Sequence, residues 1–139
     1  MRFYVAGSRD AIDGVRTITH ALKARGHTPT FDWTAHLDHR CSEQLCGVHG
    51  RTMLAATEIR AAAAADLFVG VARLGRGAHI ELGAALGAAL TLGRDPLIIL
   101  VGVRDPTDVS LPVFYEYPEV WRAKDVDDAQ RLLWQLISP

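Results

Sequence analysis

The feature that most constrains this chain is the recurrence of short, unbroken apolar runs separated by helix-length segments. Three runs stand out: FYVA after Arg2, LFVGV after Asp66 and LIILV after Pro96. A strand that is apolar at every position must be covered on both faces, which is the situation of a strand inside a parallel sheet. The intervening segments are long enough for the crossover helices that parallel pairing needs. After the loop Gly7-Ser8-Arg9-Asp10, Ile12, Val15, Ile18 and Leu22 recur at helical spacing as far as Arg25, and Gly26 follows as the residue past a helix end. Arg51 to Ala65 reads as a helix by propensity, with an alanine run suited to close packing. Gly77 to Gly93 is a further helix, rich in small residues, and Val126 to Ile137 is an amphipathic closing helix.

Two weaker strands complete the pattern. His27 to Trp33 supports a second strand, placed near a sheet edge by Pro29, and Val113 to Tyr117 reads as a short fifth. Strands alternating with helices in this way predict an α/β fold: a flavodoxin-like three-layer sandwich around a five-stranded parallel sheet of order 2-1-3-4-5. With 139 residues and no linker or repeat, residues 1–139 are expected to form one domain. In such sheets ligands sit beyond the carboxyl ends of the strands, where the strand order reverses. Gly7 to Asp10, Ala72 to Glu81 and the segment after the fourth strand should converge there.

Composition narrows the partners. Fifteen basic residues against sixteen acidic ones leave a net charge of -1, which argues against a nucleic-acid or anionic-membrane partner. No segment reaches the roughly 18 apolar residues of a spanning helix, and the amino-terminal MRFYVAGSRD reads as a strand rather than a signal peptide. The two cysteines, Cys41 and Cys46, are expected as thiols in a reducing cytoplasm. A small molecule is the expected ligand.

Within GRGAHIELG, Gly75 to Gly83, Glu81 is the one formal charge of a long apolar helix. A carboxylate buried without a partner costs several kcal/mol, so an acid retained there is neutralised, hydrogen-bonded or in use. One plain reading is an acid near a helix start, held ionised by the macrodipole and the unpaired amides. Against it stands the position at the ligand-binding edge, with Gly75 and Gly77 just ahead, allowing a ligand close to the backbone.

Taken with ADLFVGV and with YVAGSRD at the amino end, GRGAHIELGAALGAALTLGRDPLIILVG resembles the nucleoside 2-deoxyribosyltransferase family, which includes the deoxynucleoside 5′-monophosphate N-hydrolases. The resemblance covers essentially the whole chain and is tightest from Gly77 to Gly83. It implies a flavodoxin-like fold, a nucleoside or nucleotide substrate, no cofactor, and retaining attack on the anomeric carbon with Glu81 as nucleophile. A carboxylate in that role stabilises an oxocarbenium-like transition state and then forms a glycosyl ester, released to water or to another base. The family's second acidic position, ahead of the Asp that opens the third strand, falls on Glu58, the candidate acid for the leaving base. The bland alternative for Glu58 is a solvated helix acid paired with nearby arginines.

Gly7, Ser8 and Arg9 match the family's amino-terminal loop, which touches sugar or phosphate, although Asp10 opposes an anion there. The position of Gly75 is Asp or Ser in relatives, so a side-chain contact is missing, for which Arg73, Arg76 or backbone amides are the substitutes. Trp33, at a strand end bordering the pocket, is a candidate for stacking on a base or for packing. His79 is expected in a packing or helix-contact role, and Asp66 as a closure of its strand start. The resemblance further implies a homodimer or higher homo-oligomer, for which the small-residue face Ala84, Ala85 and Ala88 is the expected contact.

Two alternatives stay open. One is a non-catalytic nucleotide-binding module on the same fold. The other is a metal site made from His36, His39, Cys41, Cys46 and His49, whose spacing fits no usual zinc pattern; a loop or substrate lid is the preferred reading.

Overall fold

A computed structural model describes residues 1–36, 48–103 and 112–137. The apolar runs form β1 (Arg2–Gly7), β3 (Leu67–Val71) and β4 (Leu97–Val101), the interior of a five-stranded sheet edged by β2 (Thr28–Pro29) and β5 (Val120–Ala123). Every pairing is parallel and the order is β2-β1-β3-β4-β5, the flavodoxin-like order. In register, Val5 lies beside Val69 and Val69 beside Ile99. Among the described residues four helices flank the sheet: α1 (Ile12–Ala24), α2 (Val48–Ala64), α3 (Arg76–Leu92) and α4 (Val126–Ile137).

The two-residue period of a strand sorts its side chains between two cores. Phe3, Val5, Leu67, Val69 and Ile99 face Val15, Ile18 and Leu22 of α1 and Leu133 of α4. Tyr4, Phe68, Ile98 and Leu100 face the other way, onto Ala61 and Ala62 of α2 and Leu82 and Ala85 of α3. All of these side chains are buried, and each large one contributes roughly 1.5–3 kcal/mol by leaving water. This is why the interior strands carry no polar face.

Glycine fixes two joints. Gly26, at φ 81°, closes α1: its N–H bonds the Lys23 carbonyl at 2.9 Å while the His27 N–H bonds that of Leu22 at 3.1 Å. At the end of β1, a Cβ on Gly7 would stand 2.7 Å from Cγ2 of Val15, so glycine is what lets α1 pack against the strand.

The structure corrects four expectations. The second strand spans Thr28–Pro29 and not His27 to Trp33, because Pro29 supplies no N–H and the chain leaves the sheet beyond Thr30, turning at Trp33–His36. α2 begins at Val48, ahead of Arg51. The fifth strand is Val120–Ala123; Val113–Glu116 is instead a tight turn in which the Tyr115 N–H bonds the Pro112 carbonyl at 2.9 Å. The alternating VFYEY satisfies its hydrogen bonds locally, whereas VWRA lies where the β4 ladder is open. Finally, Ala85 and Ala88 are buried in the chain's own core and Ala84 packs against it, so that face is not offered to another subunit. Among the described residues no helix is long and apolar enough to cross a membrane.

Candidate active site

Three elements bring Glu81 its surroundings. Tyr4 points from β1 into the α2/α3 side of the sheet, α3 carries Glu81 inward at 8% exposure, and α2 supplies the half-buried Glu58. Burial is the main force on the Glu81 carboxyl. Together with the charge of Glu58, and against a smaller opposing pull from the Tyr4 hydroxyl, it pushes the pKa up to about 7. No basic side chain among the described residues acts on Glu81.

Tyr4 is fully buried, and its phenol is raised far above the ordinary range by burial first and then by the charges of Glu81 and Glu58. Its hydroxyl makes no hydrogen bond of ordinary geometry, although it is near enough to Glu81 to favour the ionised carboxylate. The pair interacts electrostatically without a well-formed bond. A buried tyrosine hydroxyl normally finds a partner, and among the described residues this one has none of ordinary geometry. Tyr4 was not among the residues singled out from sequence; the signal was a hydroxyl-bearing residue inside an otherwise apolar strand.

The helix-start reading of Glu81 does not hold. α3 begins at Arg76 with no acid in its first turn, so Glu81 sits beyond the amides that would stabilise its charge. Desolvation outweighs the dipole, and the carboxyl moves toward its neutral form.

Two of the three segments expected to converge, Gly7 to Asp10 and Ala72 to Glu81, do so, and most of the third, residues 104–111, lies outside the described residues. A Cβ built on Gly75 would lie 3.7 Å from the Ser8 Cβ. Gly75 precedes α3 with ordinary dihedrals, φ -70° and ψ 173°, and no side-chain cap. A Cβ on Gly77 would meet nothing within 4 Å. Neither glycine is demanded by the backbone or by crowding; the space beside Gly77 is open, and at the mouth formed by Gly7 and Ser8 a side chain on Gly75 would come into ordinary contact with Ser8. Arg9, Arg73 and Arg76 are exposed around it. Trp33 is half-buried against both cores and its Nε1–H donates to the Val5 carbonyl at 2.9 Å, an anchor for the turn after β2. Asp66 is remote, at the amino end of β3, where it accepts from the Arg2 N–H at 2.9 Å and pairs with Arg2 and Arg94 at 3.1 and 3.0 Å. It closes the strand start as expected.

His79 lies on another flank of α3, where its ring bonds Gly75 and Tyr115. That flank also borders an apolar groove of about 540 Å³ between Leu86, Leu90 and Phe114, with a pocket of about 290 Å³ adjoining it at His79 and Leu82. Neither hollow contains Glu81, Glu58 or Tyr4. The side chains of the His36 to His49 cluster lie outside the described residues.

No protein-family model matches the chain, and no curated protein matches it. Among solved structures it is similar to the CMP N-glycosidase BcmB of Clostridium botulinum, with a TM-score of 0.63 and 13% identity over 99% of this chain and 100% of that one. At that identity the likeness is one of fold, and it extends along the whole chain.

Proposed function

We propose that this protein cleaves the N-glycosidic bond of a nucleoside or nucleoside 5′-monophosphate, with Glu81 as nucleophile and Glu58 as the acid. One observation carries the proposal: a buried carboxylate with no cation against it among the described residues, coupled to a second carboxylate, in a chain with the fold of a CMP N-glycosidase. In the ligand-free protein the raised pKa favours the shared proton on Glu81; in the reading proposed here that proton passes to Glu58 when substrate binds, which leaves Glu81 ionised for attack.

In this reading an ionised Glu81 oxygen bonds C1′ as the C1′–N bond breaks, and Glu58 gives its proton to the departing base. Water, deprotonated by Glu58, then cleaves the glycosyl ester and frees Glu81; a second base in place of water makes the reaction a transfer. The Tyr4 hydroxyl favours the ionised form of Glu81. Gly7, Ser8, Arg9, Gly75 and Gly77 form the mouth for sugar or phosphate, with Trp33 at its border. The chemistry calls on side chains only, with no cofactor. The expected homo-oligomer, if formed, uses a surface other than the buried alanine face.

The test is base release from CMP and from a panel of ribo- and deoxyribonucleosides and their monophosphates, followed by chromatography. Mass spectrometry should find a glycosyl adduct on Glu81. A panel that Glu81→Gln turns over as fast as wild type rejects the assignment. A binding module without chemistry is the second reading, favoured by Gly75, which offers a ligand no side chain. CMP that binds and is recovered intact after long incubation decides for it.

A further inference from the structure

The mouth of the site is tied to the far side of the sheet by a chain of hydrogen bonds. Arg122 of β5 donates through Nη2 to the Tyr115 carbonyl at 2.7 Å and to Glu116 Oε1 at 2.7 Å. Tyr115, 5% exposed in the second core, presents its hydroxyl to His79 Nε2 at 3.0 Å. On its other edge His79 Nδ1 is 3.0 Å from the Gly75 carbonyl. A carbonyl only accepts, so Nδ1 carries the proton; in the neutral ring Nε2 is then the acceptor, and the Tyr115 hydroxyl donates. The two rings are held nearly parallel, 6° apart with centroids at 5.9 Å.

This arrangement adds a second bond to the carbonyl that already receives the first intrahelical hydrogen bond of α3. Gly75 has no side chain with which to bond the first amides of α3, and its carbonyl is held twice by one residue, through the His79 N–H at 3.1 Å and through Nδ1. Gly75 also lies against Ser8 across the mouth, where a Cβ on it would stand 3.7 Å from that of Ser8. Elsewhere the turn is held by the Ala72 N–H on the Val101 carbonyl at 2.9 Å and by Leu74 against the second core, so the His79 bonds fix its Gly75 end.

We infer that His79 and Tyr115 are positioning residues, which set the Gly75 turn against Ser8 and so shape the nucleotide's binding loop without touching the reacting atoms. That they serve a nucleotide rests on the function proposed above; that they hold the turn does not.

Two readouts separate these claims. The first is amide hydrogen exchange across residues 72–82 in the ligand-free protein; the second is steady-state cleavage of CMP. Tyr115→Phe removes one hydroxyl from a buried ring, and by the usual worth of one neutral hydrogen bond it should speed exchange at the His79 amide about 3- to 10-fold. KM for CMP should rise by a similar factor while kcat stays within about 2-fold, the pattern of lost ground-state positioning. His79→Ala should exceed both effects. In His79→Asn the amide nitrogen takes the place of Nδ1, so this variant should recover the Gly75 bond and match Tyr115→Phe, which a role in bulk packing would not produce. Unchanged exchange in Tyr115→Phe and His79→Ala overturns the inference whether or not CMP is cleaved. So does a fall in kcat with KM unmoved. If wild type leaves CMP and every other member of the nucleoside and monophosphate panel intact while the exchange pattern appears as stated, the turn-holding role stands and the glycosidase reading fails.

Discussion

Two acids at opposite ends of the molecule show what surroundings do to the same functional group. Asp66, at the amino end of β3, is 37% exposed, takes hydrogen bonds from the Arg2 backbone and from two guanidinium groups, and its pKa is lowered by them. Glu81, on α3, is 8% exposed, has no such cation among the described residues, faces a second carboxylate, and its pKa is raised. Asp66 is an acid solved by its neighbours. Glu81 is an acid that folding makes worse, and groups perturbed in that way cluster at functional sites.

The comparison breaks most sharply in activity. Glu81→Gln should lower turnover of whichever nucleotide is cleaved by ~10³-fold or more, the scale of losing a nucleophile. Asp66→Asn should leave it within about 3-fold, because Asp66 acts on the strand start alone. Chromatographic base release measures both, and equal losses would erase the distinction.

Stability against pH should differ in sign between the two acids. A carboxyl with a native pKa of about 7 in place of the ordinary 4.5 holds its proton in the folded state after the unfolded chain has lost it, so stability falls as pH rises through that window. By pH 8 the cost is roughly 3 kcal/mol. Glu81→Gln should remove that slope in denaturant titrations run between pH 5 and 8, and be the more stable protein at the upper end. Asp66, with its lowered pKa, contributes stability that is present above the unfolded value and fades as the solution becomes acid. After solvent screening that contribution is under about 1 kcal/mol. A wild-type slope of the opposite sign above pH 5 would overturn the environment assigned to Glu81.

A smaller effect isolates Tyr4. If its hydroxyl favours the ionised Glu81, Tyr4→Phe should raise the Glu81 pKa further and move the acid limb of the pH–rate profile upward by about half a unit to one unit, the worth of a weak hydrogen bond. An unmoved limb would make the hydroxyl a bystander.

Much of this was readable in the chain itself. LFVGV and LIILV are apolar without alternation and became the interior strands; Gly26 became the left-handed closure of α1. Glu81 was conspicuous because nothing else from Gly77 to Gly93 carries a formal charge. The fifth strand was misplaced because VFYEY alternates more cleanly than VWRA, and only the open ladder of β4 chooses between them. Tyr4 gave only the faint sign of a hydroxyl inside an apolar strand, since its relation to Glu81 and Glu58 exists only after β1, α2 and α3 have packed together.

The sequence by itself determined the parallel α/β sheet and its strand order, because burial on both faces is a demand that each apolar run makes alone. It also determined that one acid would have to be accommodated in an apolar helix. The tertiary structure decided that this acid goes unneutralised by any described cation, beside a tyrosine hydroxyl and a second carboxylate, and that His79 and Tyr115 tie the neighbouring turn to the fifth strand. Those outcomes depend on distances between elements far apart in sequence, and desolvation and Coulomb energies are set by such distances and not by local pattern.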